Sequence, residues 1–172
     1  MRVFKEEQRF TQPLIIVVLA MSALVSFGLL FNEYTKEDSN MQLKDLLLVI
    51  GICLGATLPI FFFKLITRID EKGIHYRFFP FHRREKIILW TEIQSAQVRK
   101  YDAISEYGGW GLKGGFGKKY GTAINTKGNI GIQLVLTNSK KLLIGTQKET
   151  DAKNILLHYQ DKLATKKLEP QA

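Results

Sequence analysis

Half of the fourteen glycines in this 172-residue chain fall between Gly108 and Gly121. Within that run Gly109-Trp110-Gly111-Leu112-Lys113-Gly114 has the spacing G-x-G-x-x-G. In a dinucleotide site such glycines let the backbone approach a pyrophosphate and open a helix whose N-terminus faces the phosphates. Here Gly115, Phe116 and Gly117 follow, no helical period develops and no βαβ pattern surrounds the run, so nucleotide chemistry is not expected. His75, His82 and His158 are far apart, with no cysteine or carboxylate cluster at metal-ligand spacing. Glu85, Glu92, Asp102 and Glu106 fall near expected strand ends rather than as a buried pair, and no G-x-S-x-G elbow occurs. The single cysteine, Cys53, lies in an apolar run and has no disulfide partner within the chain. The expectation is a protein that is not an enzyme, with no catalytic residues, cofactor or metal.

What remains is the chemistry of binding. Around the glycines, Trp110, Phe116 and Tyr120 interleave with Lys113, Lys118 and Lys119. Such a loop suits lipid headgroups, with lysines on phosphates and Phe116 as a shallow apolar contact. The structural alternative is an irregular crossover, Gly108–Gly117, with Trp110 packed on the fold. A second patch is Phe78-Phe79-Pro80-Phe81-His82-Arg83-Arg84, whose Phe81, Arg83 and Arg84 suit a membrane or a protein partner; alternatively it is a strand end with solvated arginines. The net charge of +9 resides entirely in residues 67–172, with nineteen Lys and Arg against ten Asp and Glu. A basic domain tethered at a bilayer is drawn to anionic headgroups by roughly 1 kcal/mol per Lys or Arg near the surface. Nucleic-acid binding fits the sign of the charge but not the scatter of the lysines or the anchor described next.

Two elements position these groups. Leu14–Phe31 and Leu46–Phe63 are uncharged apolar runs of eighteen residues each. At about 1.5 Å per residue each spans about 27 Å, close to the hydrocarbon core of a bilayer. The chain reads as a membrane helical hairpin: an N-terminal tail (1–13), a first transmembrane helix (14–31), an external loop (32–45) and a second transmembrane helix (46–66). No A-x-A-like cleavage site follows the first run, so a retained helix is expected rather than a signal peptide. Arg2, Lys5 and Arg9 precede the hairpin, and Lys64, Arg68, Lys72, Arg77, Arg83 and Arg84 follow it, whereas the loop is mainly acidic. The positive-inside bias places both termini in the cytoplasm and the protein in the cell membrane as a two-pass protein. Gly51-x-x-x-Gly55 offers a helix–helix packing face, between copies or within the hairpin. Pro59 predicts a bend near 55–59.

Beyond Phe63 short alternating runs read as β-strands: Leu65–Asp70, Ile74–Phe79, Lys86–Trp90, Ile93–Tyr101, Tyr120–Asn125, Ile130–Thr137 and Lys141–Gly145. Ala152, Ile155, Leu156, Tyr159 and Leu163 then lie on one face of a helix, with Thr146 and Glu149 spaced as a capping box. Together with Ile-Leu-Trp-Thr-Glu-Ile at 88–93, Tyr-Gly-Gly-Trp-Gly at 107–111 and Leu-Leu-Ile-Gly-Thr-Gln at 142–147, this order resembles the small bacterial membrane proteins with pleckstrin-homology (PH)-like domains. The resemblance spans roughly residues 45–163. It implies an α+β soluble domain over 67–165, a PH-like antiparallel split barrel of about seven strands capped by a C-terminal helix, with a tail at 166–172. It brings no catalytic residues. The function expected is a membrane-anchored binding or scaffold module presenting its barrel to a protein partner or the membrane surface. The alternatives are an anionic-lipid headgroup sensor and a non-catalytic subunit of a membrane enzyme or transporter.

Overall fold

The computed structural model describes residues 2–36, 42–115 and 120–164. The chain divides into two compact units, Met1–Arg9 with Phe63–Ala172, and Phe10–Phe62. The second of these is a pair of apolar helices. α1 (Pro13–Tyr34) opens with proline in its first turn, where a missing N–H leaves no hydrogen bond unmade. α2 (Leu43–Thr57) begins at Gln42, whose backbone N–H donates to Asp45 Oδ2 at 3.1 Å. The α-helix gives way at Leu58 to a 3-10 segment, Leu58–Phe62, because Pro59 has no N–H to return to Gly55. Both Pro13–Tyr34 and Leu43–Phe62 are long and apolar enough to cross a membrane. The second helix does not continue to residue 66: Lys64 already belongs to a strand.

The other unit is α+β. Its first sheet is an antiparallel meander in the order β1-β2-β3-β4, formed by β1 (Phe4–Arg9), β2 (Lys64–Ile69), β3 (Gly73–Phe79) and β4 (Lys86–Leu89). The segment read as an N-terminal tail therefore supplies a strand, and the helical hairpin is inserted between two adjacent strands. Arg9 stands opposite Lys64 and Phe4 opposite Ile69. Phe4, Glu6 and Gln8 turn inward while Lys5, Glu7 and Arg9 stay exposed, the alternation of a strand with one solvated face. Gly73 is required by the approach of β4: a Cβ there would lie 2.1 Å from the Ile88 carbonyl oxygen.

The second sheet runs β5-β8-β9-β7-β6, with β5 (Ile93–Lys100), β6 (Gly111–Gly114), β7 (Thr122–Asn125), β8 (Ile130–Leu136) and β9 (Lys141–Gly145). β7 pairs with β9 in parallel, a departure from the all-antiparallel expectation. Neither sheet closes on itself among the described residues. The interior is built from both: Leu65, Ile74 and Phe78 from the first, Ile93, Ile132 and Ile144 from the second, all without solvent exposure.

Two helices complete this unit. α3 (Ala103–Tyr107) is a single turn fixed at both ends. Asp102 accepts from the N–H groups of Ile104 and Ser105, and Gly108 takes the left-handed conformation (φ 72°) that ends the helix. α4 (Glu149–His158) buries Ala152, Ile155 and Leu156. Tyr159 follows, 5.4 Å from the buried Trp90 ring. The capping box does not form: Thr146 donates its hydroxyl to Glu6 Oε2 at 2.6 Å and accepts from Lys148 N instead. The helix is also shorter than the apolar period implies, passing into a 3-10 turn at Gln160–Lys162 so that Leu163 is extended.

Candidate functional site

The β3–β4 turn gathers the second of the two aromatic–basic patches. β3 ends at Phe79, 46% exposed, and Phe81 is 58% exposed although its ring stacks on buried Phe78 at 5.7 Å. The rings of Phe63 and Phe81 form a T-shaped pair with their centroids 5.4 Å apart. Two bonds close the turn: His82 N donates to Phe78 O at 2.7 Å, and Phe78 N donates to His82 Nδ1 at 3.3 Å. The second bond needs a lone pair on Nδ1, so it requires that nitrogen to be unprotonated. Burial, together with the nearby Lys86 charge, lowers the pKa of His82 in the same sense. Arg83 and Arg84 are exposed and make no ion pair among the described residues. The acids close by are already matched: Glu85 to Arg68 at 3.0 Å, Glu7 to Lys64 at 2.8 Å. The turn therefore presents two aromatic rings and two free cations.

The glycine-rich patch is differently placed. Gly111–Gly114 is not irregular; it is strand β6, paired with β7 at the edge of the second sheet. Gly111–Gly114 is thus extended chain and not the first turn of a helix. Lys113 is exposed on that edge strand, while Phe116, Lys118 and Lys119 lie outside the described residues. Lys113 and the Arg83–Arg84 pair sit on different sheets and do not form one site. Trp110 donates from Nε1 to Gly128 O at 3.1 Å and packs against the buried cluster that contains Tyr101, Tyr107 and Leu143. On α2, a Cβ added at Gly51 or Gly55 would meet nothing within 4 Å, so neither glycine is pressed against α1.

The fold also assembles groups that the sequence analysis did not single out. His75, buried on β3, lies 3.2 Å from Asp70 and 3.3 Å from Glu85, with Arg68 3.0 Å from its Nδ1. Burial works against ionisation of Asp70, but the Lys72 N–H, His75 and Arg68 outweigh it and lower the carboxyl pKa. His75 can donate from Nε2 to Asp70 while accepting at Nδ1 from Arg68, which satisfies the buried ring without solvent. No group of three His, Cys, Asp or Glu among the described residues is placed to hold a metal ion. A second network ties β1 to the far sheet: Glu6 accepts from Thr146 Oγ1 and from Gln147 N at 2.7 Å, and Gln8 Nε2 donates to Gly145 O at 2.8 Å. A third is Arg99 with Glu106 (2.7 Å), Gln133 and Tyr107. The Arg99 hydrogen bond is the main reason that the Glu106 carboxyl titrates low. Burial pushes the Tyr101 phenol up to about 12. These three are structural linkages: every polar atom named in them has a partner within the protein. A scan against protein-family models finds no match to this chain, and a search of curated proteins finds none either.

Proposed function

We propose that the chain is a membrane-anchored binding module that uses no catalytic chemistry of its own. α1 and α2 cross the cell membrane, both termini are cytoplasmic, and the α+β unit, a PH-like domain, meets a protein partner or the membrane surface. The observation that carries this reading is the pairing of β1 with β2. Residues immediately before and after the apolar hairpin are hydrogen-bonded neighbours in one sheet, which supports a segment that leaves and returns on the same side. The polarity of the flanks favours the cytoplasm for that side. The PH-like reading is supported by the order of elements. Two sheets of mainly antiparallel strands are followed by α4; β1 and β6 are additions to the seven strands expected, and β7 pairs with β9 in parallel.

Crosslinking in native membranes, followed by identification of neighbours, tests the function. A photoreactive residue at Arg84 should capture one recurrent protein or membrane lipid. Capture of neither, from a chain shown to be membrane-embedded, would remove the binding-module reading.

A further inference from the structure

We infer that the β3–β4 turn is a lipid-contacting foot. Phe79 and Phe81 sit in the headgroup region of the bilayer crossed by the chain's own helices, and Arg83 and Arg84 hold anionic lipid phosphates there. The inference rests on the membrane-anchored reading above and adds the site and the ligand class.

Chain connectivity carries most of it. The second apolar segment ends at Phe62, and Phe63 follows one peptide later, about 3.8 Å between Cα atoms. The ring of Phe81 touches the ring of Phe63 at 5.4 Å. A side chain that touches the first residue beyond a membrane span lies at the membrane interface. Strand register agrees: Arg9, which leads to the first helix, stands opposite Lys64, which leaves the second, and Lys64 stands opposite Phe79. All three occupy one end of the first sheet. The opposite end of the same strands is the Glu71–Lys72 turn, roughly 20 Å away at about 3.3 Å per residue.

Composition and charge select the ligand. Two large rings remain exposed beside a well-filled interior, where an aqueous turn gains nothing from them. Phe79 and Phe81 give this turn apolar surface that a lipid interface can cover. With Glu7 and Glu85 paired to Lys64 and Arg68, the surplus charge at the turn is positive. Arginine binds phosphate through its planar fork, and anionic headgroups attract basic groups near the membrane. A soluble protein partner fits the same chemistry, but only the bilayer is tied to this turn by the chain itself.

The test uses the full chain in proteoliposomes, in a Cys53→Ala background. An environment-sensitive fluorophore is placed at Phe81→Cys, at Glu71→Cys or at Leu24→Cys. Phe79→Cys serves as a second position in the turn, so that loss of the Phe78–Phe81 stack cannot imitate a negative result. Quenching is read with lipids carrying a nitroxide at a shallow or a deep acyl position. The labels at Phe81 and Phe79 should be blue-shifted and quenched by the shallow nitroxide. The label at Glu71 should be unquenched, and that at Leu24 quenched by the deep nitroxide. Adding phosphatidylglycerol to phosphatidylcholine vesicles should increase quenching at Phe81, and the double substitution Arg83→Gln/Arg84→Gln should abolish that increase. If the Phe81 and Phe79 labels behave like the Glu71 label while the Leu24 label is quenched, the foot is wrong and the anchored module stands. If the Leu24 label is unquenched, both fall. A phosphatidylglycerol effect that survives the double substitution would overturn the role given to the arginines.

Discussion

The two units of this chain solve the problem of burial in opposite ways. In α1 no residue is buried, and in α2 only Leu46 is. Small residues leave a cleft of about 420 Å³ beside Ser22, Ser26 and Cys53. The α+β unit instead removes Leu65, Ile74, Phe78, Ile132 and Ile144 from solvent completely. Helices satisfy their backbone groups internally and can present apolar side chains to a solvent that accepts them, which a bilayer does and water does not. The sheets must bring their own interior. The same kind of substitution should therefore have very different consequences in the two units.

The largest contrast is in side-chain truncation. Phe78→Ala should cost ~3–5 kcal/mol and Leu156→Ala ~2–5 kcal/mol, whereas Phe27→Ala on exposed α1 should leave unfolding of the α+β unit unchanged. Denaturant unfolding of the detergent-purified chain, followed through buried Trp90, measures this; equal losses at Phe27 and Phe78 would erase the distinction. A smaller effect is expected where β1 is fastened to the second sheet. Glu6→Ala strands the Thr146 hydroxyl and the Gln147 N–H and should cost about 1.5–3 kcal/mol, the range for bonds to a charged group.

The Arg99–Glu106 pair should be weaker, because both side chains keep some contact with water (26% and 14% exposed). The folded state holds Glu106 below the ordinary 4.5, so its contribution is complete above that value and is lost as the pH falls through the folded pKa. Glu106→Gln should lower stability at neutral pH and flatten this part of the acid dependence, as read from unfolding midpoints across the acid range. The smallest effect belongs to the hairpin: Gly51→Ala and Gly55→Ala meet no neighbour and should not lower helical content on heating by circular dichroism. A clear loss would reveal a second helix pressed on that face.

Legibility in the sequence followed the same divide. The hairpin was readable from length and apolarity alone. Ile130–Leu136 was readable from alternation, and Lys141–Gly145 from its short apolar run after the Asn138-Ser139 turn. β1 was not, because two of its three inward residues are Glu6 and Gln8. Their partners, Thr146, Gln147 and Gly145, lie some 140 positions later, so burial left no apolar pattern. β6 was hidden by its glycines, which carry no side-chain period. α3 did leave a signal, Asp102 and Gly108 at cap spacing around one turn, too short for a helical repeat. The His75 cluster could not be read at all: register brings Arg68 opposite His75, and the β2–β3 turn brings Asp70 against it. Phe81, Arg83 and Arg84 were visible as a patch, but the packing of Phe81 on Phe63 required the fold.

The claim on which the rest depends is that the helical hairpin crosses the membrane twice and returns the chain to the cytoplasm. In a Cys53→Ala background, single cysteines at Ser39, between the helices, and at Ser139, in the β8–β9 turn, should be challenged with an impermeant thiol reagent on intact cells. The account predicts labelling at Ser39 and none at Ser139 until the cells are opened. Labelling at Ser139 with protection at Ser39 would invert the orientation, and equal labelling of both would contradict the two-pass hairpin itself.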